Sequence, residues 1–228
     1  MRLAVVPLIL VVLVCGGWAA EKHTRSGNER ALSALASELA GRPVHVRCES
    51  FWHSIVNVDS NLGDVPFPNG RAASYTHVTR GMCKELARFR SRPEAPELAC
   101  LAEFDWNRFT GSGDPAATAC SEQANDMAEA LVTLAHESMH MRGWSDEALA
   151  QCYAIQEVAF TVERLGGSPQ EGAAVASYLL SLQPFMPTDY QSSECASGGL
   201  LDLHSETKAF PTEAVPAPPP ASRYGPQL

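Results

Sequence analysis

Two histidines four residues apart flank a glutamate in the stretch His136-Glu137-Ser138-Met139-His140, and Gly143, Asp146 and Glu147 follow closely. On a helix, residues four apart lie one above the other, so His136 and His140 can aim two ring nitrogens at one ion. Glu137 is rotated by roughly 100° from His136. That places it beside the ion, where it can take a proton from a water held there. The spacing H-E-x-x-H therefore offers two zinc ligands and a general base within a turn and a half of helix.

The elements around the motif must hold it in place. Met127, Leu131 and Leu134 recur at helical spacing between Asn125 and Ala135, which predicts a helix with one face in the core and the histidines on the other, beside Val132 and Glu129. Gly143 ends that helix as a C′ glycine. Ser145-Asp146 reads as the cap of a second helix, Glu147 to Leu165. Seen from Glu147, the residues Ala150, Gln151, Ala154, Val158, Thr161 and Leu165 fall within about 60°, a mostly small and apolar stripe suited to packing on the histidine helix. A catalytic zinc takes three protein ligands and keeps one position open. Glu147, at the top of the inward stripe, is the favoured third ligand. Asp146 is the alternative, although capping already gives it a local role.

His136-Glu137-x-x-His140 followed by Glu147-x-x-Ala150 and Ala154 resembles the zincin metallopeptidases. The closest likeness is to the glutamate-liganded gluzincin branch, whose third ligand stands on the next helix. The likeness spans about 20 of the 228 residues. It implies a helical zincin-like domain, a zinc ion on His136, His140 and Glu147, Glu137 as the catalytic base, and hydrolysis of peptide bonds in a peptide or protein substrate. The chain departs from that pattern twice: the interval from His140 to Glu147 is short, and Gln151 stands where many members carry Asp. His136, Glu137, His140, Gly143 and Asp146 also match the aspartate-bearing form of the metzincin pattern, with Met186 as a candidate for its Met-turn. Gln151, one turn below Glu147, is placed to support a ligand.

Residues 1–20 carry one charge, Arg2, and an apolar run from Leu3 to Val14 followed by small residues. This reads as a secretory signal cut near Ala19 or Ala20. The uncharged 18 residues from Leu3 to Ala20 are also long enough for an uncleaved anchor. Either way the expectation is a secreted or extracytoplasmic, membrane-anchored protein. Seven cysteines less Cys15 leave six, Cys48, Cys83, Cys100, Cys120, Cys152 and Cys195. An even set in an exported domain predicts up to three disulfides, whose pairing the sequence does not choose. At 45% hydrophobic and 19% charged residues the chain can build a core. Without leader and tail roughly 185 residues remain, a single-domain size. A net charge of −9 without a clustered Lys/Arg run argues against a nucleic-acid partner.

The expected architecture is mainly α, of α+β type, with a small sheet and disulfide staples. The domain is placed at residues 27–205 and a proline-rich, disordered tail at 206–228. Glu21 to Asn28 reads as a linker, Glu29 to Ala40 as a helix, and Val44 to Cys48 as a strand, with Phe51 to Val58 as a candidate extension of that sheet. Asp59 to Gly70 reads as turn-rich. Helices are expected over Thr79 to Phe89, Glu97 to Trp106 and Ser168 to Leu182, with a loop from Thr110 to Pro115. His23, His45, His53, His77 and His204 read as surface or structural histidines. Tyr153, Tyr190 and His77 are candidates to stabilise an oxyanion. The opposing functional reading is a non-catalytic, disulfide-stapled binding or structural domain with a degenerate or structural metal site.

Overall fold

The computed structural model describes residues 5–50, 62–92, 98, 100–101, 120, 122–203, 205–206 and 210–211, with side chains from residue 22 onward. Helix α1 runs from Val5 to Ala40. Its later turns bury Leu32, Leu35, Ala36 and Leu39, the apolar stripe of a helix that packs on a core. The segment Glu21–Asn28, expected as a linker, is part of this helix. Gly27 is the least favourable residue for a helix there, and Arg25 pairs with Glu29 one turn on at 3.9 Å. Asn28 does not cap a helix. It is buried, donates to the Cys83 carbonyl at 3.0 Å and accepts from Arg90 at 2.9 Å. The expected leader at residues 1–20 lies outside the residues whose side chains are described. Among the described residues no helix is long and apolar enough to cross a membrane.

Beyond Gly41, Arg42 donates to Met141 O at 2.6 Å and to Ala72 O and Ala73 O at 3.1 and 2.8 Å. Strand β1 (His45–Cys48) buries Val46 and Cys48. Strand β2 (Gly63–Asp64) and strand β3 (Tyr75–Val78) complete a three-stranded sheet of order β1-β3-β2. β3 is parallel to β1 and antiparallel to β2, so β2 is an edge. The sequence reading had no strand at either place and took 59–70 as turns. The proposed extension over 51–58 lies outside the described residues.

Thr79 caps helix α2 (Arg80–Ser91), which buries Met82, Cys83, Leu86 and Phe89. Of the helix expected over 97–106, residues 98, 100 and 101 are described and helical, with Leu98 and Leu101 buried. Its remainder, the loop at 110–115 and nearly all of the tail lie outside the described residues.

Helix α3 (Glu122–Arg142) carries the two histidines. From Ala130 to Met141 every residue is buried, so both faces are covered, where one had been expected to face away from the core. It packs on α1, α2, the sheet and helix α4 (Glu147–Arg164). α4 is likewise buried on every side from Ala150 to Val162, because helix α5 (Pro169–Leu182) covers its outer face. Ser168 and Glu171 form a capping box at the start of α5. One core runs through these elements from Leu32 to Leu179.

The six cysteines pair as Cys48–Cys83, Cys100–Cys120 and Cys152–Cys195. Three disulfides point to an oxidising environment. The protein is mainly helical with a small sheet and disulfide staples.

Candidate metal centre

The turn between α3 and α4 builds the site. Gly143, at φ 121°, reverses the chain, and its N–H bonds to His140 O at 2.9 Å while that of Trp144 reaches Met139 O at 3.3 Å. This pair of bonds is the Schellman stop of a helix that ends in glycine. It also turns the Trp144 carbonyl back onto the His140 ring, whose Nδ1 donates to it at 2.6 Å. Asp146 then caps α4 by accepting from Leu149 N at 2.9 Å. Glu147 is thereby the first residue of α4, directed at the two rings.

Three side chains converge. His136 Nε2 and His140 Nε2 are 2.9 Å apart, and Glu147 Oε2 lies 3.0 Å from the first and 3.3 Å from the second. Donors around a tetrahedral zinc with bonds near 2 Å would be about 3.3 Å apart. Asp146 is not among the convergent atoms. The far nitrogens of both rings are already engaged, His136 Nδ1 with Gln151 Oε1 at 3.0 Å and His140 Nδ1 with Trp144 O. With Nδ1 donating in each ring, both Nε2 atoms present lone pairs. Two lone pairs and a carboxylate oxygen at one point call for a positive charge among them. A proton serves one pair, whereas a metal ion serves all three. His136, His140 and Glu147 could therefore hold a metal ion.

The electrostatics follow from burial. Burial, together with the neighbouring His136, lowers the His140 pKa, which favours the neutral ring a metal requires. With a proton on His136 Nε2 in place of a metal, the hydrogen bond to Glu147 holds that carboxyl down at about 2, aided by histidine charge against partial burial. Glu137 does not join the trio. It is buried, and burial pushes its carboxyl up to about 7, against the pull of His136 and of a hydrogen bond from Thr76. That bond, Thr76 Oγ1 to Glu137 Oε2, measures 3.2 Å. A Cβ at Gly63 would lie 2.5 Å from Glu137 Oε1. The edge strand thus closes on this acid as only a glycine backbone can.

A cleft of about 570 Å³ opens in front of the trio. Glu137, the β2 edge at Gly63 and Asp64, Phe67 and Glu129 line it, with Met186 and Tyr190 from the segment after α5. The Tyr190 ring stacks on His136 at 5.6 Å between centroids. Burial, then the charge and hydrogen bonding of Glu147, raise its phenol above the ordinary value. Of the three residues considered for an oxyanion, Tyr190 stands at the cleft. Tyr153 packs on Trp144 in the core, and His77 packs on Tyr75 of β3. Met186 places its sulfur 3.5 Å from Gln151 Nε2.

Sequence reasoning missed Thr76, Gly63 and Asp64. No signal in the chain singled them out, since they reach the site only through the pairing of short strands. Comparison with protein-family models, with curated proteins and with solved structures gives no match.

Proposed function

We propose that this protein is an extracytoplasmic zinc-dependent peptidase of gluzincin-like type, with His136, His140 and Glu147 as ligands and Glu137 as the base. The observation that carries the reading is the convergence of three donor atoms within 3.3 Å in a cleft that Glu137 also lines. Zinc held there would lower the pKa of a water to about 7 and polarise the scissile carbonyl. Glu137 takes the proton of the attacking water at its carboxylate and returns it to the leaving amine. Thr76 fixes one oxygen of that carboxylate and leaves the other for the proton. Gln151 and Trp144 O hold the two rings in one tautomer and orientation. Tyr190 and Phe67 line the cleft beside the trio.

The test is metal analysis of the purified protein together with hydrolysis of a broad peptide library. One zinc per chain is expected, with cleavage abolished by a chelator and restored by zinc. Glu137→Gln should keep fold and zinc while lowering cleavage by about 10²–10⁴-fold. Zinc without any cleavage would favour the non-catalytic metal-site reading. Protein without stoichiometric metal would end the peptidase reading and leave the disulfide-stapled binding or structural domain with a degenerate site.

A further inference from the structure

The segment after α5 touches the metal centre and returns to α4 at several points. Gln183–Phe185 and Thr188–Tyr190 form two short 3-10 turns. Between them Met186 meets Gln151, whose other amide atom accepts from His136. Tyr190 stacks on His136 in the cleft that Glu147 also lines. Further on, Cys195 is joined to Cys152, the neighbour of Gln151. Gln156 then donates to Leu201 O and accepts from Leu203 N, each at 2.8 Å. One helix thus presents, in order, a proposed ligand, a residue that orients a ligand, a covalent tether and a hydrogen-bonded tether.

We infer that residues 183–203 are a strap that the Cys152–Cys195 bridge fastens over the metal centre, and that the bridge acts as a positioning device by fixing the Tyr190 ring against His136. The inference rests on the metal-centre part of the proposed function and not on peptide hydrolysis. The physical argument is one of chain freedom. The strap has no regular hydrogen-bonded element longer than one turn, so little of its order is intrinsic. Cys195 lies five residues beyond Tyr190, and a covalent bond at that distance restricts where the tyrosine ring can be. Tyr190 in turn restrains the His136 ring on which it stacks. It acts on the metal through that ring, as a positioning residue.

Cobalt(II) provides a readout independent of catalysis, because its visible absorption reports the geometry of the donor set. Wild type, Tyr190→Ala, Cys152→Ser with Cys195→Ser, and the triple combination are titrated with cobalt(II). Wild type should bind one equivalent. Tyr190→Ala and the double cysteine variant should each shift the absorption bands and weaken affinity about tenfold. The triple variant should be no worse than either alone, since both act through one position. If the losses multiply to about a hundredfold, or the double cysteine variant matches wild type, the strap has no such role and the inference is overturned. Wild type that binds no cobalt would overturn the metal centre itself. Should the double cysteine variant fail to fold, Gln191→Ala decides. Gln191 donates to Pro184 O and Met186 O within the strap and does not touch the donors. Its loss should weaken cobalt binding about threefold with shifted bands, and an unchanged titration overturns the inference.

Discussion

The Thr76 hydroxyl donates to Glu137 Oε2 across 3.2 Å, joining the central strand of the sheet to the acid between the two histidines. The same hydroxyl lies 2.9 Å from Asp64 O, so its one hydrogen is shared between the edge strand and the proposed base. The sheet is small, yet it forms the wall against which Glu137 is held.

Glu147 and Asp146 are adjacent acids with separate roles in the structure. Glu147→Gln should lower metal affinity by at least about tenfold while the fold persists, because a neutral amide replaces the only anionic donor of the trio. Asp146→Asn should leave both metal and stability nearly unchanged, since Asn caps about as well as Asp. Asp146→Ala should cost about 1 kcal/mol by the loss of the cap to Leu149 N. Metal titration and urea unfolding of the three variants check this.

Gly63→Ala should be damaging out of proportion to one methyl group. The new carbon would meet the Oε1, Cδ and Cγ atoms of Glu137 at 2.5–2.6 Å, and Glu137 is buried and bonded to Thr76. Either the strand or the acid must move. A loss of about 1–3 kcal/mol is expected, with cleavage reduced and metal retained, as measured by thermal unfolding beside metal analysis.

Gln151→Ala removes the acceptor that orients His136 and should weaken metal binding by about 10–100-fold. Gln151→Glu restores an acceptor with a charge and should bind metal at least as well as wild type. Equal affinity in all three proteins would show that His136 needs no such partner.

The contribution of Glu157 to stability should fall as pH rises through neutrality. Glu157 is fully buried, and neither carboxyl oxygen has a hydrogen-bond partner among the described residues. Burial pushes its pKa from 4.5 up to about 7, with Arg142 pulling the other way. Between those values the unfolded chain releases a proton that the folded chain keeps, so folding loses ground as pH increases and the loss is complete above about 7. A shift of this size corresponds to something on the order of 3 kcal/mol. Glu147, held down at about 2, acts in the opposite sense, and its contribution is lost as pH falls from 4.5 towards 2. Glu137, also raised to about 7, acts with Glu157, and His140, lowered by burial, acts against both. Urea unfolding of the metal-free protein at pH 5 and pH 8 isolates the Glu157 part: Glu157→Gln should raise stability at pH 8 relative to that at pH 5.

The helices of the site were legible in the sequence because their signals are local. A four-residue interval puts two rings on one face, a glycine stops the helix, and an acid at the next cap is followed by the third donor. The same wheel picked out Gln151, which accepts from His136. What the sequence could not show depends on distant pairing. β3 has only four residues, and its inward pair is Thr76 and Val78, so no apolar alternation marked it. β2 is a Gly-Asp dipeptide that looks like part of a turn until it meets β3. The burial of α3 on both faces was hidden because Ala and Ser positions read as neutral, although they allow the close approach of neighbours. The disulfide pairing follows from the same three-dimensional neighbourhoods and had no local mark.

Arg42 holds carbonyls at both the end of α3 and the approach to β3, although it stands just past the end of the N-terminal helix. One side chain therefore serves two places at once. Its truncation would leave the carbonyls at the close of the histidine helix and beside the sheet without their common donor in a single step.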